Sequence, residues 1–160
     1  MLLVPGAGWA LSSDRTQPMH IEADEVTIDD KKQVSIYKGD VVVTQGTLRI
    51  TADKLTVYAH QGDVQRMVAV GRPATYRQRP DDKDQDVKAE ALTMEYLADR
   101  EVVILTDQAK LWQGPNTFAS ERIVYRLDRD QVDAGRKAGG ERVRITIQPK
   151  EDDDTGGARQ

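Results

Sequence analysis

The chain has 160 residues, long enough for one domain with a substantial core. Its net charge of −4, with no basic stripe carrying stacking aromatics, argues against a nucleic-acid partner. Cysteine is absent, which excludes disulfides and thiol chemistry, and no run approaches the roughly 18 apolar residues of a membrane-spanning helix.

The first residues, Leu2-Leu3-Val4-Pro5-Gly6-Ala7-Gly8-Trp9-Ala10, are apolar and small, like the end of a signal-peptide core and its cleavage site. Gly8 and Ala10 suit cleavage after Ala10. The charged start of such a peptide is expected upstream. Residues 1–14 are therefore read as a residual signal-peptide end or a disordered N-terminus. Residues 15–147 are read as a single β domain. Residues 148–160, polar, acidic and glycine-rich, are read as a disordered tail.

A short phrase then recurs four times. It reads Ile21-Glu22-Ala23-Asp24-Glu25-Val26-Thr27-Ile28, Ile50-Thr51-Ala52-Asp53-Lys54-Leu55-Thr56-Val57, Val87-Lys88-Ala89-Glu90-Ala91-Leu92-Thr93-Met94 and, more loosely, Phe118-Ala119-Ser120-Glu121-Arg122-Ile123-Val124-Tyr125. Spacings of about 30 to 40 residues mark a stacked array, in which each unit buries its apolar face against its neighbours. Within each of the first three phrases, apolar residues alternate with polar ones, then change parity after the alanine. One extra residue at the acidic position keeps both halves facing inward, which describes a bulge or corner. Asp24, Asp53 and Glu90 are expected to stay near the surface there and to satisfy backbone N–H groups.

Between these phrases lie strand–break–strand segments: Val34 to Gly46, Val68 to Tyr76 and Val102 to Gly114. Gln45-Gly46, Gln113-Gly114 and Gly62-Asp63 are turn signals, since glycine accepts positive φ. The fold class is all-β, built from repeated pairs of short, bent strands joined by hairpin turns. The acidic run Pro80 to Asp86 reads as a solvated loop and lacks the pattern of a calcium site.

Chemistry is scarce. His20 and His60 have no ligand-like spacing, and there is no nucleophile motif, phosphate loop or metal cluster. The many carboxylates sit at polar parity or in loops, so a carbohydrate hydrolase is a distant reading. No enzymatic activity, cofactor or metal is expected. By parity, Met19, Ile21, Val34, Ile36, Val41, Val43, Leu48, Ile50, Leu55, Val57, Leu92 and Met94 face inward, with Glu22, Arg49 and Glu95 outward. Such a face either packs into a dry core or lines a groove for hydrocarbon chains. Parity slightly favours the dry core.

Gln17-Pro18-Met19-His20-Ile21-Glu22-Ala23-Asp24, Gly39-Asp40-Val41-Val42-Val43-Thr44-Gln45-Gly46, Ile50-Thr51-Ala52-Asp53-Lys54 and Gly71-Arg72-Pro73-Ala74-Thr75, in this order and spacing, resemble the OstA-like family of periplasmic lipopolysaccharide-transport proteins, the family of LptA. The resemblance covers roughly residues 15 to 147. It implies an open β-jellyroll that stacks head to tail into a bridge between inner-membrane and outer-membrane transport components. It also implies a periplasmic location, a role in outer-membrane biogenesis, and an interior groove shielding the acyl chains of lipopolysaccharide. Asp107-Gln108-Ala109 departs from the Gly-Asn-Ala usual for the family at that turn.

Parity and the resemblance together assign Met19, Ile21, Ile36, Val41, Val43, Ile50, Leu55, Val57, Tyr76, Leu92, Met94 and Tyr96 to lipid contact. The two terminal strands offer open edges. Met19 and Ile21 at one end, and Val143, Ile145 and Ile147 at the other, are expected to join copies head to tail. A structural filament module without lipid cargo is the alternative.

Overall fold

A computed structural model describes residues 13–135 and 140–149. Residues 1–12 and 150–160, which hold most of the expected signal-peptide end and of the acidic tail, lie outside the described residues.

A short 3-10 turn, η1 (Ser13–Thr16), precedes ten antiparallel strands in one sheet. These are β1 (His20–Glu22), β2 (Glu25–Asp29), β3 (Val34–Gln45), β4 (Leu48–His60), β5 (Asp63–Gln78), β6 (Val87–Leu97), β7 (Val102–Gln113), β8 (Asn116–Arg126), β9 (Gln131–Ala134) and β10 (Arg144–Thr146). From β3 to β8 each strand pairs with the next. The short β1 and β2 share β3 as partner, and β9 and β10 share β8. The sheet is open, because the two short pairs at its ends do not meet.

Every long strand bends at one line. The register shifts between Lys38 and Val41 in β3, Thr51 and Lys54 in β4, Val70 and Ala74 in β5, Glu90 and Thr93 in β6, and Thr106 and Ala109 in β7. β1 and β2 are separated at Ala23-Asp24, on the same line. The bulges fold the sheet into two arms, one ending in the turns near 46, 80–86 and 114, the other in those near 31, 61, 99 and 128. The parity change expected in the repeated phrase is this bend. At 61–62 the turn uses two left-handed residues, Gln61 (φ 50°) and Gly62 (φ 84°), the pairing favoured in two-residue hairpins.

The repeated acids do lie on the bend, but they face cations rather than capping amides. Asp53 pairs with Arg72 at 3.2 Å and Glu90 with Lys110 at 3.6 Å. At Asp24 it is the backbone N–H that bonds, donating to the carbonyls of Lys38 (3.0 Å) and Gly39 (3.1 Å).

Three inward assignments are corrected. In β3 the bend is made by two consecutive left-handed residues, Gly39 (φ 82°) and Asp40 (φ 42°), so parity does not change across it. Tyr37 therefore shares a face with Val41 and Val43. Val34 and Ile36 point outward, and Ile36 lies on the same line as Thr56, Val68 and Glu95. In β6, Leu92 falls in the unpaired step between Glu90 and Thr93, where it is half-buried and outside the core cluster.

Candidate functional site

The inner faces of the two arms are built from cross-strand rows. Because directly opposed residues share a face, the pairings can be followed from edge to edge. One row runs Ile21, Val43, Ile50, Tyr76, Ala89, Leu111, Phe118, Ile145, from β1 to β10 without a polar side chain other than the tyrosine hydroxyl. On the other arm, Val26, Tyr37, Leu55, Ala69, Met94, Leu105, Ile123 and Ala134 make a second row. The rows face each other across the fold.

Of the residues assigned to lipid contact, Val41, Val43, Ile50, Leu55, Val57, Tyr76 and Met94 are buried in one core cluster. Met19, Ile21 and Tyr96 pack half-buried against it. Ile36 and Leu92 do not belong to it. Sequence reasoning missed Tyr37, Met67, Ala69, Leu105, Leu111, Ile123 and Tyr125, all on the inner face. Aligning the second and fourth copies of the repeated phrase would have found Ile123 and Tyr125, which match Leu55 and Val57.

The interior is closed. Ile50, Leu55, Met67, Tyr76, Met94 and Val103 surround a void of about 10 Å³, room for no more than a water-sized probe. The seam opposite the bend is wider and polar. A cleft of about 320 Å³ there is lined from one arm by Gln78, Asp81 and Lys83 and from the other by Tyr96, Tyr125 and Asp130, with Arg15 between them.

The phenols beneath this seam are neutral hydrogen-bond donors. Burial, with lesser contributions from Tyr96, Tyr125 and Asp14, raises the Tyr76 hydroxyl well above the usual tyrosine range, and it donates to Gln78 Oε1. Burial, then the Asp130 carboxylate, raises Tyr125, whose hydroxyl donates to Asp130 at 3.0 Å. Among the described residues no group of three or more His, Asp or Glu is placed to hold a metal ion. What this inner face offers is apolar area.

Each edge of the sheet carries uncovered aliphatics. At the first end Val26 and Ile28 are 55% and 62% exposed; at the last, Ile145 and Ile147 are 53% and 71% exposed. Val143 is half-buried, close to Gly135. Val26 and Ile28 were not among the expected junction residues, although their alternation in the first phrase marks them as inward. Exposed large aliphatics in register with a buried row signal a face continued by something else.

Residues 20–131 match the profile of the LptA/(LptD N-terminal domain) LPS transport protein family, which is most of the chain. The chain belongs to the LptA family. It is 43% identical over 148 residues to the lipopolysaccharide export system protein LptH of Pseudomonas aeruginosa, covering 88% of this chain and 85% of that protein. The Escherichia coli export protein LptA is 32% identical over 145 residues, covering 89% of this chain and 77% of its own length. The crystal structure of P. aeruginosa LptH, described as the LptA-homologous periplasmic component of the lipopolysaccharide transport device, superimposes with a TM-score of 0.79 at 40% identity. It covers 86% of this chain and 99% of that one. An LptA-family jellyroll is thus the architecture that the resemblance implied and that the strand order and the LptH structure show.

Proposed function

We propose that this protein is a lipopolysaccharide-transport component of the periplasm that carries the lipid's acyl chains along the inner face of its bent sheet. The observation that carries the reading is the pair of aliphatic rows. They run unbroken from the first strands to the last, one ending in exposed Ile145 and the other beginning at exposed Val26, with exposed Ile28 and Ile147 beside these ends. A core that served stability alone would close these ends, since each buried methylene contributes about 0.8 kcal/mol. A face that continues into the next molecule must leave them open. The relatives LptH and LptA, both named lipopolysaccharide export system proteins, point the same way.

Copies joined through these ends, β10 of one against β1 and β2 of the next, would extend rather than close. The same joint would accept jellyrolls of inner-membrane and outer-membrane components. The role is that of a carrier, with no catalytic step and no cofactor.

One observation favours a second reading, a filament module without cargo: the interior void of about 10 Å³ cannot hold an acyl chain as it stands. Photo-crosslinking separates the two. Crosslinkers at Ile50, Leu55, Tyr76 and Met94 should capture lipopolysaccharide, while those at Glu22, Arg49, Glu95 and the outward Ile36 should not. Equal capture from both sets, or none from either, would favour the filament.

A further inference from the structure

Asp14 is the one Asp, Glu, Lys or Arg side chain, among the described residues, that lies fully within the fold, at 3% exposure. A buried carboxylate is costly unless several donors hold it. Asp14 has them. It accepts from the Thr47 N–H at 2.7 Å, the Thr47 hydroxyl at 2.5 Å and the Gln78 side-chain amide at 2.9 Å. All three belong to one lip of the seam. Ser13 adds contacts on the same lip, its N–H and hydroxyl donating to the Asp81 carboxylate at 2.7 and 2.8 Å.

The next residue reaches the other way. Arg15 donates to Glu101 Oε1 at 2.6 Å and to the Ala98 carbonyl at 2.7 Å, both in the turn joining β6 and β7, on the opposite lip. One short turn thus grips both arms, through a buried anchor and a partly exposed hook. Exposed ion pairs contribute little, so the hook is the weaker of the two.

Beneath this turn the arms meet with a void of only about 10 Å³. Acyl chains can enter only if the arms part along the seam or swell from the ends.

We propose that the Ser13–Thr16 turn is a clasp across the mouth of the groove. Asp14 anchors it to one lip, Arg15 hooks the other, and release of the hook lets the arms part to admit acyl chains. This rests on the lipid-carrying reading above. Asp14 stays bound to its lip during opening, so the turn swings with that arm. The clasp then sets the balance between a closed, dry state and an open, lipid-accepting one, as any differential contact between two states does.

Because the chain has no cysteine, two can be added cleanly. Asp82→Cys and Arg129→Cys place spin labels on opposite lips of the cleft. In lipid-free protein, Arg15→Ala should raise the population with widely spaced lips by at least about fivefold. Asp14→Ala should do the same, with circular dichroism checking its fold; Arg15→Ala, on a partly exposed residue, keeps the test valid if Asp14→Ala unfolds. Joining the two cysteines with a short reducible cross-linker should abolish capture of lipopolysaccharide by a photo-crosslinker at Met94, and reduction should restore it. Unchanged lip spacing in Arg15→Ala, or equal capture by locked and unlocked protein, would overturn the clasp. Capture by neither would sink the lipid-carrying reading instead, and the lip spacing would still decide whether the turn holds the arms together.

Discussion

Gly46 and Asp14 meet so closely at the rim of the groove that a Cβ on residue 46 would collide with the Asp14 carboxylate. Gly46 also has φ 57°, a conformation that costs other residues energy. The β3–β4 turn and the buried anchor of η1 are therefore fitted to one another, and the fit explains why a glycine stands there.

Gly46→Ala should combine backbone strain with loss of the anchor. The expected cost is about 2 kcal/mol, a fall in Tm of several degrees for a domain of this size. Thermal unfolding followed by circular dichroism measures it. A change within about 0.5 kcal/mol would show that the turn and the anchor do not depend on each other.

The corrected parity of β3 can be read from stability. Leu55 is fully buried in the core, whereas Ile36 lies on the outer face with Glu95. Leu55→Ala should cost about 3 kcal/mol, and Ile36→Ala under about 1 kcal/mol. Chemical denaturation of the two variants decides it, and similar losses would return Ile36 to the interior.

In β7 the bend is made without glycine. Asp107 (φ 65°) and Gln108 (φ 52°) both adopt the left-handed conformation that Gly39 and Asp40 take at the same place in β3. Glutamine tolerates it less readily than aspartate does. Gln108→Gly should stabilise the protein by about 1 kcal/mol, raising the denaturation midpoint without changing its slope. A loss of stability would mean that the Gln108 side chain contributes more than its backbone costs.

The Asp130 carboxylate collects Lys83 Nζ at 2.8 Å, Tyr125 OH at 3.0 Å and Gln113 Nε2 at 3.2 Å. The Lys83 hydrogen bond, followed by that from Tyr125, holds its pKa below the usual 3.8. A depressed carboxylate stabilises the fold above its unfolded pKa, and that contribution disappears as pH falls through the folded value. The Tm difference between the unmodified protein and Asp130→Asn should therefore be flat from about pH 5 to 8 and shrink below pH 4. A difference that grows in acid contradicts the assignment.

Head-to-tail joining predicts that charges at the open ends act on assembly alone. Val26→Lys and Ile145→Lys alter exposed side chains, so each should fold normally yet abolish concentration-dependent oligomers in light scattering. A mixture of one variant's free first end with the other's free last end should still form dimers. Unmodified protein that stays monomeric at high concentration, or variants that assemble as it does, would refute the joint.

Much of this architecture was legible in the chain. The repeated phrase, its change of parity beside Ala52 and Ala89, and the Gln-Gly turns specified a bent antiparallel array with aliphatic inner faces, because strand alternation and turn chemistry are local properties. Tertiary structure decided the rest. Whether β3 changed parity at its bend depended on the paired left-handed residues Gly39 and Asp40, and that choice sent Ile36 outward and Tyr37 inward. The role of Asp14 was invisible, since a carboxylate in a polar N-terminal segment reads as solvated until Thr47 and Gln78, distant in sequence, are folded around it. Alternation identified an apolar face but not the space in front of it: that space is set by how closely two arms approach, a distance governed by contacts between residues far apart in the chain.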